Sequence, residues 1–238
     1  PVKILVGAGV TYSHYTNETN RKAFVNGSLT DMIYNTDLGL WGYQAFIQAS
    51  DTYADDRLTL SLGINTIGNN YNQNMGNPLN QLSPRLSASY RLNDKWDINS
   101  NIGRYAMRPA YTTLGYKDTA GNFVNRNEQL KHILSNQVII GFEFRPTDQS
   151  RFNLEGFYKQ YENYPLSVAD GMSIAGKGTE YGQIGDEEII STGRGRAYGM
   201  EFLGKLVDWK KFNTTLTYTL FKSEFTDENG VYRPSNWD

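Results

Sequence analysis

Residues 194–225 read RGRAYGMEFLGKLVDWKKFNTTLTYTLFKSEF. Tyr198, Met200, Phe202 and Leu206 recur at even spacing, and Ala197, Gly199, Glu201, Leu203 and Lys205 fill the odd positions. After a polar stretch at 207–211 the alternation resumes: Phe212, Leu216, Tyr218 and Leu220, with Thr214 among them, oppose Asn213, Thr215, Thr217 and Thr219. A period of two over two such segments is the mark of strands, and the short connection predicts an antiparallel hairpin. One face is apolar and aromatic, the other polar, charged or glycine.

The same alternation recurs along the chain. Residues 2–15, 38–50, 57–65, 84–92, 96–106, 134–145 and 151–161 each read as a strand; the cleanest sets Leu58, Leu60, Leu62 and Ile64 against Arg57, Thr59, Ser61 and Gly63. With the opening hairpin this predicts nine strands. Short turns are expected at 51–56, 93–95, 146–150 and 207–211, and long polar loops at 16–37, 66–83, 107–133 and 162–193, with another beginning near Thr226. Short and long connections alternate strictly. Compact soluble domains prefer loops of ~4–6 residues and seldom carry several of ~20–30. A membrane barrel, with tight turns on one side and long loops on the other, has this rhythm. Trp96 and Trp209 fall at short-turn ends, where an interfacial aromatic girdle is expected.

Composition sharpens the picture. Of 238 residues, 13% are aromatic, with 17 Tyr and 4 Trp, yet mean hydropathy is −0.57. That combination suits a sheet that is greasy on one face and wet on the other. No apolar run approaches the ~18 residues of a membrane helix, which excludes a helical membrane protein and leaves a barrel open. The formal charge of −2 and the lack of a basic patch argue against nucleic acid as a partner. The absence of cysteine decides nothing. The second face is rich in Asn, Gln, Ser, Thr and Gly rather than the Lys and Glu of a surface in bulk water, which suits a lumen. A soluble β-rich binding domain stays open beside the barrel.

Several stretches together carry a family resemblance: Ser83-Pro-Arg-Leu-Ser-Ala-Ser-Tyr90, Gly103-Arg-Tyr105 with Arg108-Pro109, Glu155-Gly-Phe-Tyr-Lys-Gln-Tyr161 with Tyr164-Pro165, Gly193-Arg-Gly-Arg-Ala-Tyr-Gly-Met-Glu201 and Arg233-Pro-Ser-Asn-Trp-Asp238. In order and spacing, from about Trp41 onward, they resemble the barrel of TonB-dependent outer-membrane receptors, in the Asn- and Tyr-rich style of the Bacteroidetes. The resemblance implies an all-β fold, an antiparallel up-and-down transmembrane β-barrel segment contributing about nine strands to a 22-stranded barrel. It implies a place in the bacterial outer membrane and energised uptake of a bulky nutrient, a metal chelate, glycan or similar. The partners it implies are outer-membrane lipid, the protein's own plug domain, the TonB complex acting through that plug, and a surface lipoprotein. Neither a plug nor a TonB box is recognisable in this sequence, so residues 1–238 are expected to be a partial barrel from a longer polypeptide. A passive porin or adhesin-like barrel is the alternative within the membrane.

No catalytic constellation is expected. His14 and His132 are isolated, without a second ligand at zinc spacing, and no metal or cofactor site is predicted. The glycines at 193, 195 and 199 open a strand rather than a helix and do not form a dinucleotide loop, and there is no G-x-S-x-G elbow. Asp186, Glu187 and Glu188, and Asp51, Asp55 and Asp56, lack the spacing of a calcium loop. The sequons at Asn17 and Asn26 are chance matches in a bacterial setting. The candidate ligand-binding residues are the aromatics at or beyond strand ends on the long-loop side: Tyr105, Tyr111, Tyr116, Tyr161 and Tyr164. Inward-facing Arg85, Arg91, Glu143, Arg145, Glu155, Lys159, Glu201 and Lys205 are expected to form a charge network along the wall or against the plug.

Overall fold

A computed structural model describes residues 2–25, 28–118, 120–127, 130–178, 185–209 and 211–236. Among them run β1 (Lys3–Val25), β2 (Ser28–Tyr53), β3 (Leu58–Asn69), β4 (Ser83–Asn93), β5 (Trp96–Met107), β6 (Ile133–Thr147), β7 (Ser150–Ser167), β8 (Ile189–Trp209), β9 (Phe212–Thr226) and the short β10 (Tyr232–Pro234). They form one sheet in sequence order, each strand antiparallel to the next. The nine predicted strands are present, and a tenth of three residues turns back onto β9.

Of the polar stretch expected as a loop at 16–37, residues 16–25 and 28–37 are instead strand. β1 and β2 pair without a break from Lys3↔Ser50 to Val25↔Ser28. Alternation does continue there, on the inner side, through Tyr15, Thr19, Tyr34, Thr36, Leu38 and Leu40, but the outer side is polar, so the apolar signal drops by half. β2 meets β3 only from Gly42↔Asn69 onward, so residues 28–40 of β2 have only β1 as a strand partner. The hairpin thus stands above its neighbours. The turn that follows β2 is tight enough to put Ala54, Asp55 and Asp56 at positive φ.

The register aligns the predicted apolar positions into continuous rows. One row reads Ile4, Ala49, Leu62, Leu86, Ile102, Val138, Tyr158 and Tyr198 from β1 to β8. Another joins Ile98, Phe142, Leu154, Phe202 and Tyr218. Most of this face is exposed: in these rows Leu62 is 60% accessible and Tyr218 63%, and on the same face of β1 Val6 is 68% and Val10 72% accessible. A sheet face this extensive and this apolar is unstable against water and at home against lipid.

Aromatics bound the band at both levels. Trp96 stacks on Phe144, centroids 4.4 Å apart, and Phe144 on Phe152 at the short-turn end. Tyr12 meets Trp41 at 5.0 Å, and Tyr158 stacks on Tyr198 at 6.4 Å, at the long-loop end. The Trp209 side chain lies outside those described. The row through Tyr198 reaches β1 at Ile4, eight positions short of Tyr12, its counterpart at the upper edge. At standard strand dimensions, that offset is about 27 Å along the strands over about 34 Å across seven strand steps, a tilt of about 40°. Membrane barrels tilt their strands by ~35–45°.

The opposite face is polar. At its short-turn end Glu143, almost fully buried, accepts hydrogen bonds from Arg145 and from Arg151, the latter at 2.9 Å. Asp97 lies 3.6 Å from Arg145 and 4.0 Å from Arg91. Arg91, Glu143 and Arg145 therefore form the predicted network, joined by Asp97 and Arg151. The other charged residues expected in it stand apart.

Candidate functional site

The buried core of the chain lies above the sheet, not within it. The β3–β4 loop carries α1 (Gln73–Gly76) and the β5–β6 loop carries α2 (Tyr111–Leu114). Leu38 and Leu40 of the tall hairpin pack with Tyr71, Met75, Leu114, Leu130 and Ile189. Polar bonds zip the loops together. Tyr71 donates its hydroxyl to Leu114 O at 2.8 Å, and Thr36 to Gly115 O at 2.7 Å. Asn125, fully buried, donates to Thr113 O and Glu187 O and accepts from Ile189 N. Gly115 permits the close approach, since a Cβ there would fall 2.8 Å from Thr36 Cγ2 and 2.9 Å from Tyr15 Cε1. Four segments distant in sequence thus make one cap at the long-loop end.

The five candidate tyrosines do not converge. Tyr111 stacks on Tyr15 at 5.4 Å with the Arg108 guanidinium 3.7 Å from its ring centroid. Tyr116 lies edge-on to Tyr34 at 6.0 Å. Across the cap, Tyr161 and Tyr164 surround Phe225, with centroids 5.5 and 4.2 Å away. A bulge between Tyr161 and Tyr164 in β7 turns both toward that ring. Tyr105 lies lower, on the inner wall, with the Arg85 guanidinium 4.1 Å from its ring centroid. All five are half-buried. Arg108 and Phe225 belong to these clusters and were not foreseen. The inner-face parity of Phe221, Ser223 and Phe225 was the available signal for the latter.

His132 is another residue whose sequence context gave no hint of its place. It is 2% exposed and sits at a loop junction, with Gln81 Nε2 2.8 Å from Nδ1 and Asn69 Nδ2 3.4 Å from Nε2. Burial, and then the nearby Arg108 charge, lower its pKa to about 4. Above pH ~6.5 the ring is neutral whether the cap is closed or open. As pH falls from ~6.5 toward 4, the opened state takes up a proton that the closed state refuses, so closure weakens. At pH 5 the expected loss is about 2 kcal/mol, a ~30-fold drop in the protection of cap amides from hydrogen exchange. His132→Gln should abolish that pH dependence; equal dependence in both proteins would contradict it.

Lower on the inner wall, Glu155 of β7 stands directly opposite Glu201 of β8. Glu155 accepts a hydrogen bond from Asn153 at 2.6 Å, and neither carboxylate has a cationic partner among the described residues. Like charges on paired strand positions repel, so this pair carries an unpaid cost in the isolated sheet. The described residues hold no group of three or more His, Cys, Asp or Glu that could bind a metal ion.

A family model described as TonB dependent receptor-like, beta-barrel, matches residues 3–237. The chain belongs to the TonB-dependent receptor β-barrel family. Its place is therefore the bacterial outer membrane, and the exposed apolar face of this receptor barrel faces lipid. No curated protein sequence matches the chain. Among solved structures it resembles the ferripyoverdine receptor of the Pseudomonas aeruginosa outer membrane, with a TM-score of 0.62 at 17% identity, over 98% of this chain and 31% of that one. It also resembles the outer membrane transporter YddB from Escherichia coli, with a TM-score of 0.61 at 16% identity, over 99% and 32%. The ferric enterobactin receptor PfeA of Pseudomonas aeruginosa gives 0.59 at 14% identity, over 100% and 40%. The receptor barrel sequence thus spans about a third of the length of these structures, and the likeness is one of fold.

Proposed function

We propose that residues 1–238 are an internal barrel segment of a longer receptor, with about 22 strands in all and a plug domain on its inner side. The whole takes up a bulky nutrient, driven by the TonB complex acting through the plug. The observation that carries this reading is the Glu155–Glu201 pair. Two unneutralised carboxylates on the inner face call for a cationic group from something inside the sheet, while the outer face is committed to lipid. The relatives named for ferripyoverdine and ferric enterobactin favour a ferric chelate as the nutrient. The Asn- and Tyr-rich strands favour a Bacteroidetes source and, with it, a surface lipoprotein as a further partner.

The test is the native polypeptide. An antibody against residues 162–193, used on fractionated source membranes and followed by mass spectrometry, should find an outer-membrane band far above 27 kDa with peptides upstream of Pro1. A soluble band of 27 kDa would end the transport reading.

Ligand capture falls to the cap and upper wall, with Tyr105, Tyr111, Tyr116, Tyr161 and Tyr164 as the proposed contacts. Replacing both Tyr111 and Tyr164 with alanine in the full receptor should reduce ligand affinity at least ~5-fold, since each stacked aromatic contributes ~0.5–1.5 kcal/mol. Unchanged binding and uptake would remove these tyrosines from the site.

A further inference from the structure

Arg85, on the inner face of β4, borders a cavity. Its strand partners on either side are Gly63 and Gly103. A Cβ at Gly103 would lie 3.0 Å from Arg85 Cγ, so the stem lies close over a gap that glycine leaves. The guanidinium rests 4.1 Å from the centroid of Tyr105, which is itself held by a 3.0 Å hydrogen bond from its hydroxyl to Asn101 Oδ1. The group opens onto a concavity of about 380 Å³ with Gln48, Asn65, Ser87 and Asn101 in its lining. No residue lining it is acidic. Among the described residues the guanidinium has no hydrogen bond or ion pair, and its Nε is buried without a partner.

A buried guanidinium Nε lacking an acceptor is costly, and the natural complement of the half-exposed fork is a planar oxyanion bound through two parallel N–H groups. The amides and hydroxyls around it supply further donors. The aromatic floor fixes the plane of the fork and leaves its donor edge free. We infer that Arg85, braced by Tyr105, is a binding site for a single oxyanion, a carboxylate above all, presented from the inner side of the sheet. The site is separate from the Glu155–Glu201 pair, which asks for the opposite charge. The proposed receptor reading bears only on where the carboxylate comes from: the protein's own inner domain or the solute passing it.

Arginine modification by phenylglyoxal, read residue by residue by peptide mass spectrometry on the full receptor in detergent, tests this. Exposed Arg57, at the opposite rim, serves as the internal reference. Modification of Arg85 at least ten-fold slower than Arg57 in the receptor alone assigns the carboxylate to the protein itself. Fast modification that citrate or inorganic phosphate slows several-fold assigns it to the solute. Equal rates at Arg57 and Arg85 in all conditions overturn the site. Simple coverage is separated by Arg85→Gln and Arg85→Lys. The glutamine variant should weaken inner-domain retention, or citrate binding, by ten-fold or more, and lysine should recover part of it. An Arg85→Gln receptor that matches the wild type in both readouts overturns the proposal even where Arg85 is protected. If the native polypeptide has no upstream domain, the receptor reading fails separately, and the citrate and phosphate arms still decide the site.

Discussion

Ile140→Arg should cost the membrane-inserted barrel about 2–4 kcal/mol, while Ile139→Arg, one residue away, should leave insertion almost unchanged. Ile140 lies midway up the apolar face of β6, in the row with Met200 and Leu220, and is half exposed to what surrounds the sheet. Ile139 pairs with Phe157 on the other face. A guanidinium at position 140 must enter the hydrocarbon or drag water and headgroups toward it. At position 139 it meets a polar lumen. Refolding of the full receptor into vesicles, followed by denaturant titration, measures the difference. Equal costs would mean that the two faces have been assigned to the wrong media.

Glu155→Gln combined with Glu201→Gln should loosen whatever fills the inner side by roughly 3 kcal/mol or more, because a buried cation would lose its counter-charge. In the full receptor this predicts a lower midpoint for release of the inner domain, and entry of a large antibiotic that the intact receptor excludes. The barrel alone should respond in the opposite sense. Removing two facing like charges relieves repulsion across β7 and β8, so barrel unfolding should be unchanged or slightly harder. An unaltered midpoint with no leak would show that the pair meets no partner, and the reading of a filled barrel would lose its main support.

Much of this fold was legible in the sequence where lipid imposes a strict choice. Leu58, Leu60, Leu62 and Ile64 declare β3 because every second side chain must be apolar. Legibility failed at 16–37 for the converse reason. Above the membrane the outer face of the hairpin is wet, so Glu18, Asn20 and Asn35 replace the apolar markers although the strand continues. The cap was invisible because its core joins Leu38, Met75, Leu114 and Ile189, which no local period relates. The tyrosines were individually conspicuous, but their division into two clusters depends on a bulge in β7 and on α2, neither of which the spacing reveals. The isolation of Arg85 likewise emerges only once register places Gly63 and Gly103 beside it.

The claim on which all else rests is that alternate residues of each strand touch lipid. The chain has no cysteine, so single cysteines can be placed at 138, 139, 140, 141 and 142 of β6 without background. Spin labels there, in the full receptor reconstituted in bilayers, report collision with oxygen, which concentrates in lipid, and with a water-soluble nickel chelate. The account predicts high oxygen and low nickel accessibility at 138, 140 and 142, and the reverse at 139 and 141. Nickel accessibility at all five positions, without alternation, would contradict it.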